Sequence, residues 1–142
     1  MVELDHAFQT GKDAAYNWDA VLDLDRIIPC VEGGKVIERT SPESAKAEIV
    51  VRMGAMSLTF TGTVEVTEKD PEAHRAVMAV KSREKGGQGH ANATVVFALA
   101  DGGSTVSTNA QITGKAASMG EGVVAGVLDA LIKDFTGRLE RL

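Results

Sequence analysis

Hydrophobic and polar residues alternate along most of this chain, with helical spacing confined to two stretches. Residues 2–10 place Val2, Leu4, His6 and Phe8 on one face and Glu3, Asp5, Ala7 and Gln9 on the other, the period of a half-buried strand. Gly11 breaks the pattern. Thr10 and Asp13 have the spacing of a capping box, and Ala15, Trp18 and Leu22 recur at three and four residues, which predicts a helix from about Lys12 to Asp23. Asp25 is placed to cap a second short helical turn through Ile28, and Pro29 limits that turn because it lacks a backbone donor. Cys30, Val31, Gly33 and Gly34 lead out through a loop.

From Lys35 the period is that of strands. Lys35–Thr40 is short. Ala45–Met53 sets Ala47, Ile49, Val51 and Met53 on one face. Met56–Thr67 sets Met56, Leu58, Phe60, Val64 and Val66 on one face, with Gly62 in register and threonines opposite, as β-propensity favours. Arg75–Ser82 turns Ala76, Met78 and Val80 inward. His90–Ala100 does the same with Ala91, Ala93, Val95, Phe97 and Leu99, and Thr105–Thr113 with Val106, Ala110 and Ile112. Gly54-Ala55, the turn around Pro71 and Asp101-Gly102-Gly103-Ser104 are short links, so consecutive strands should be antiparallel neighbours.

The last stretch, from about Lys115 to Arg141, changes period. Met119, Val123, Val127, Leu131 and Phe135 lie four apart, and Val124, Leu128, Ile132 and Leu139 widen the line into a stripe. Lys133, Asp134, Arg138, Glu140 and Arg141 take much of the other face. This predicts one amphipathic helix of roughly 40 Å opened by Gly114. Gly120, Gly122 and Gly126 each cost about 1 kcal/mol against alanine in a helix interior. They imply either close packing or a soft first half, and the soft reading makes that half a gate against the segment around Ile27 and Ile28. The order strand, two short helices, six strands and long helix is an α+β domain spanning residues 1–142, with helices on one face of an antiparallel sheet.

Composition narrows the function. The net charge of −5 and an aromatic content of 4% argue against general nucleic-acid binding, which wants basic surface and stacking residues. The negative charge also argues against simple electrostatic docking on an anionic bilayer. A single cysteine precludes an internal disulfide and suits a reducing cytoplasm. The N-terminus lacks the pattern of a signal peptide, and no run of about 18 apolar residues occurs. Candidate chemistry is sparse. His74, near a turn, and His90, on a polar strand face, read as solvated. His6 shares the inward face with Leu4 and Phe8, so it is either a core histidine satisfied by a neighbour or a polar handle for a ligand. Cys30 reads as a packed thiol. No metal-ligand spacing, phosphate loop or nucleophile elbow is present, and the glycine-rich Arg83–His90 stretch reads as a loop.

Several local motifs resemble one family. Trp18-Asp19-Ala20-Val21-Leu22-Asp23 is similar to a first helix with tryptophan and leucine ending in aspartate. Asp25 to Val31 resembles the segment that runs to a Cys-Leu-Pro-Gly turn, with Glu32 where the family usually has proline. Met53-Gly54 through Gly62-Thr63-Val64 resembles a strand pair with two glycines eight apart, and Gly87, Gly89, Gly114 and Met119-Gly120 fall at further glycine positions. Together these resemble the CoxG family of carbon monoxide dehydrogenase, in the START-like (SRPBCC) helix-grip superfamily, over almost the whole chain. The resemblance implies a seven-stranded antiparallel sheet wrapped around the C-terminal helix. It also implies a non-catalytic accessory protein of a carbon monoxide dehydrogenase or related molybdenum hydroxylase. That role is at the membrane, attaching the enzyme or handling a lipidic electron acceptor such as an isoprenoid quinone. The expected location is cytoplasmic, peripheral at the inner face of the membrane, without the apolar C-terminal extension of some relatives.

Inward positions include many small residues: Ala47, Gly62, Ala76, Ala91, Ala93 and Ala110. They either let helix and sheet approach closely or leave an apolar cavity. The fold resemblance favours the cavity. Its expected lining is Phe8, Trp18, Ile27, Ile28, Met53, Met56, Leu58, Phe60, Met78, Phe97, Met119, Val123, Val127 and Leu131, with His6 as the polar handle. The bound ligand would be a lipid or quinone, with no other cofactor. Two other readings stay open: a structural adaptor or maturation factor with a packed core, and a cyclase-like enzyme, for which His6 is the one visible candidate.

Overall fold

Alternation from residue 34 to residue 112 becomes six consecutive hairpin-linked strands, and the N-terminal strand closes the set. In the computed structural model, which describes residues 1–87 and 89–142, these are β1 (Val2–Phe8), β2 (Gly34–Ser41), β3 (Ser44–Met53), β4 (Met56–Asp70), β5 (Arg75–Glu84), β6 (His90–Ala98) and β7 (Ser104–Ile112). All pairs are antiparallel, in the order β1-β7-β6-β5-β4-β3-β2. Gln88, in the glycine-rich loop after β5, lies outside the described residues. Helices α1 (Ala14–Leu22) and α2 (Leu24–Ile27), with a 3₁₀ turn at Ile28–Cys30, fill the connection from β1 to β2, and α3 (Glu121–Leu139) follows β7. This is the α+β helix-grip arrangement that the order of elements predicts.

The helix caps differ from those the spacing suggests. Asp13, not Thr10, caps α1: its carboxylate accepts the Tyr16 N–H at 2.8 Å. Thr10 donates instead to the side-chain oxygen of Asn17 at 2.6 Å, and Asn17 donates to the Ala100 carbonyl at 3.2 Å. With its amide satisfied, Asn17 can be buried, so α1 turns Asn17, Ala20 and Val21 inward and leaves Ala15 exposed. Asp23, not Asp25, caps α2, accepting the Asp25 N–H at 3.2 Å. The loop into β2 turns tightly despite Glu32, because Gly33 adopts φ +77° and Gly34 donates to the Val31 carbonyl at 2.8 Å.

The predicted long helix is shorter than its apolar pattern. Gly114, at φ +86°, ends β7, and Ala117–Met119 forms only a 3₁₀ turn. Gly120 sits at φ +99°, ψ 147°, which no right-handed helix can include, so α3 begins at Glu121. Its 19 residues span about 28 Å rather than 40 Å. The helix lies along β1, to which it is tied by His6 and Asp129 at 2.7 Å and by the Gln9 N–H donating to Glu140 at 2.7 Å.

Buried side chains fall into two clusters. The larger joins Phe8, Val21, Leu24, Ile27, Phe97 and Val106 to Ile132, Phe135 and Leu139 of α3. The smaller joins Val2, Met53, Leu58 and Phe60 to Ala116 and Val124. Glycines serve opposite ends in this architecture. A Cβ on Gly62 would stand 1.9 Å from the Lys81 carbonyl oxygen, so β4 and β5 approach closely there, whereas a Cβ on Gly122 or Gly126 would meet nothing within 4 Å. Close packing therefore does not explain the glycines of α3. Gly62→Ala should cost about 1–3 kcal/mol or more by forcing two strands apart, while Gly126→Ala should stabilise by about 1 kcal/mol. Urea unfolding of the two variants checks this, and equal signs would refute it.

Candidate functional site

Between the two clusters the inner face of the sheet and α3 stand apart. They enclose a cavity of about 260 Å³, partly open to solvent. Inward positions of β3 to β7 form one wall. Val124, Val127, Leu128, Leu131, Ile132 and Phe135 of α3 form the other, and Ile27, Ile28, Val31 and Ala116 close the side. Among the described residues, no ionisable side chain lines it. Ser82 and Thr108 bring hydroxyls to the wall. The Ser82 hydroxyl donates to the Ala91 carbonyl at 2.6 Å. Asn92 is exposed and alternates with inward Ala91 and Ala93, so it contributes backbone rather than its amide.

Of the residues expected to line a cavity, Ile27, Ile28, Met53, Phe60, Met78, Phe97, Val127 and Leu131 are brought together in its wall. The others are placed elsewhere. Phe8 packs at the far end of β1, beside α1 and Leu139. Trp18 lies partly buried with its ring edge-on to His74, centroids 5.8 Å apart, so His74 is a packed turn residue at φ +51° rather than a solvated one. Leu58 is buried in the smaller cluster, and Met119 packs on it from the 3₁₀ turn. Met56, at the β3–β4 hairpin, is 36% exposed, and Val123 is 46% exposed. Val123 fails for a geometric reason. A step of four residues advances about 40° beyond a full helical turn, so a line of residues four apart winds around α3, and Val123 and Phe135 cannot share one face.

The lining residues not anticipated were mostly legible in the alternation. Ile49, Val51, Val64, Val80, Val95, Val106 and Ile112 share the face of the named residues, and Ser82 and Thr108 continue the inward registers of Val80 and Val106. Of the small residues, Ala91, Ala93 and Ala110 line the cavity. Ala47 and the fully buried Ala76 pack elsewhere, and Gly62 serves the strand contact.

His6 takes the structural role. Its side chain is 8% exposed, and Nε2 lies 2.7 Å from Asp129 Oδ1, while Asp129 Oδ2 pairs with Lys133 at 3.0 Å. It does not line the cavity. Cys30 is buried, with its thiol 3.4 Å from the Arg26 carbonyl, and burial pushes the thiol's pKa up, which keeps it protonated and unreactive. The α3 helix is unevenly held. Ile132, Phe135, Thr136 and Leu139 are buried in its second half, but only Val124 in its first, and Gly120 offers no capping side chain.

The Asp129 carboxylate is held below its ordinary value of 3.8, first by the hydrogen bond from Lys133 and then by that from His6, with burial opposing. A depressed carboxylate stabilises the fold above its unfolded pKa, and that contribution is lost as the pH falls through the folded value. The stability difference between the protein and Asp129→Asn should therefore shrink as the pH falls through the acid carboxylate range. A difference that stays constant down to about pH 2 would show that the tie contributes nothing through charge.

Residues 7–141 match the family model that describes the CoxG subunit of carbon monoxide dehydrogenase. No protein of curated function matches the chain in sequence. Among solved structures, a conserved protein from Geobacillus kaustophilus is 20% identical with a TM-score of 0.78, covering 98% of this chain and 91% of its own. A START superfamily protein from Mycobacterium smegmatis is 13% identical with a TM-score of 0.58, covering 98% and 97%. The Zhui aromatase/cyclase from Streptomyces sp. R1128 is 14% identical with a TM-score of 0.55, covering 98% and 93%. These likenesses establish a shared fold. With the family match running from strand β1 to the end of α3, the chain belongs to the CoxG family of carbon monoxide dehydrogenase.

Proposed function

We propose that this protein is a non-catalytic accessory of a carbon monoxide dehydrogenase or related molybdenum hydroxylase, one that holds a lipid or isoprenoid quinone in its cavity and links the enzyme to the membrane. The observation that carries the reading is a partly open, 260 Å³ space whose wall is almost wholly apolar. At ~30 Å³ for a water-sized group, that space holds about nine methylenes. At ~0.8 kcal/mol each, their burial gains ~7 kcal/mol relative to water. A bilayer offers the same carbons a similar gain, so transfer between the two is near balance, as a carrier requires. No helix among the described residues is long and apolar enough to cross a membrane, which suits contact from one side. The family match supports the proposed partner, and the apolar wall supports the proposed ligand class.

The cyclase reading has support from the Streptomyces neighbour's fold. It needs an acid–base pair facing the substrate. The lining offers two hydroxyls and no ionisable group among the described residues, which favours the carrier.

The weakly held first half of α3 is the proposed way in. Gly122 and Gly126 loosen it without serving any contact, Val123 is exposed on it, and Val124 and Val127 of the same segment line the cavity. Beyond it, the tie from Asp129 to His6 and the buried Ile132 and Phe135 hold the helix. Amide hydrogen exchange should be faster at residues 122–127 than at residues 130–139, and slower there once ligand is bound. Equal protection of the two halves, with and without ligand, would remove the gate. Mass spectrometry of an organic extract of the purified protein tests the carrier itself: a co-purifying lipid or quinone is expected, and a cavity repeatedly found empty would favour a structural adaptor that carries no ligand.

A further inference from the structure

We propose that the cavity reads a ligand's tail and is indifferent to its head: about nine carbons of an alkyl or isoprenoid chain lie inside, and the polar head stays at the mouth. The inference rests on the carrier reading and specifies its substrate class. A carbonyl or ether oxygen drawn into the wall leaves its water behind and needs a donor in exchange. The wall has almost none to offer. The Ser82 hydroxyl proton is engaged by the Ala91 carbonyl at 2.6 Å. Asn92 turns its amide to the outer face of the sheet. His6, which could have served as a donor, is held against Asp129 outside the cavity. Among the described residues Thr108 alone remains, too little for a head carrying two or more oxygens. The strand ladder engages the backbone donors around it, since β5, β6 and β7 are each paired on both sides. Chain carbons meet no such demand, and the volume sets how many fit.

This predicts a particular affinity profile for the purified protein. With straight-chain alkanols, binding measured by displacement of a fluorescent apolar probe should tighten about fourfold per added carbon and level off near nine or ten carbons. A benzoquinone carrying two isoprene units should bind within several-fold of 1-decanol, and the same benzoquinone without a tail at least about 100-fold more weakly. Thr108→Val should leave every affinity within about twofold. Ala110→Leu adds three carbons at a lining position and should move the plateau about three carbons shorter.

The proposal is overturned if the tailless quinone binds as tightly as the tailed one. It is also overturned if affinity is flat across the alkanols, or if Thr108→Val weakens the quinone alone by tenfold or more. The wild-type series decides the matter even if Ala110→Leu fails to fold. If no member of the series binds at all, the carrier reading fails with it. If head-bearing compounds bind without regard to tail, the carrier stands and only the orientation is wrong.

Discussion

One amphipathic helix has to cover the inner face of a seven-stranded sheet, and it is too small for the task. The 19 residues of α3 reach about 28 Å. Side chains meet well at two places, around Phe97, Phe135 and Leu139 at one end and around Phe60, Ala116 and Val124 at the other. Between them β6 and β7 present Ala91, Ala93 and Ala110, whose methyls do not reach across. Interiors elsewhere are close-packed. Here the mismatch between sheet area and helix bulk leaves a space that is kept apolar, and the function proposed follows from that shortfall.

The same helix is anchored asymmetrically. Edge strand β1 holds it through His6 with Asp129 and through Gln9 with Glu140, and Phe135 meets Phe97 edge-on with centroids 6.3 Å apart. Upstream of Asp129 the ties thin out. The contact between the Met1 amino group and Glu121, at 3.5 Å with both groups largely exposed, is of the kind that contributes little. Helix glycines that make no close approach lower stability without a packing return, and such positions are tolerated where a segment must yield.

Polar residues on the inner side serve architecture rather than chemistry. His6 ties strand to helix, Asn17 ties α1 to Thr10 and to the Ala100 carbonyl, and Ser82 spans to the neighbouring strand. The Asn17 amide and the part-buried Ser82 hydroxyl are given partners, as burial demands, while His6 is paired through Nε2 and its buried Nδ1 has no hydrogen-bond partner among the described residues. What remains facing the cavity is close to hydrocarbon, a surface suited to binding by exclusion from water rather than by recognition of particular atoms.

The sequence by itself determined the class of fold, the number and order of strands, and which residues of each strand face in. A strand's two faces follow from a period of two, interrupted here at register shifts in β2 and between Val66 and Glu68 of β4, so Met53, Phe60, Met78 and Phe97 were legible as cavity wall, and Ile49 or Val106 could have been read the same way. Tertiary structure alone decided the rest. A helix has no fixed face until it docks, and the line from Met119 to Phe135 winds off the contact, leaving Val123 in solvent and bringing in Val124 and Leu128. Gly120 could have been helical, and its φ of +99° is set by the turn that carries the chain from β7 to α3. Nor could spacing distinguish an inward alanine that lines a cavity from one that lets strands pack, since both obey one alternation and differ only in what stands across from them.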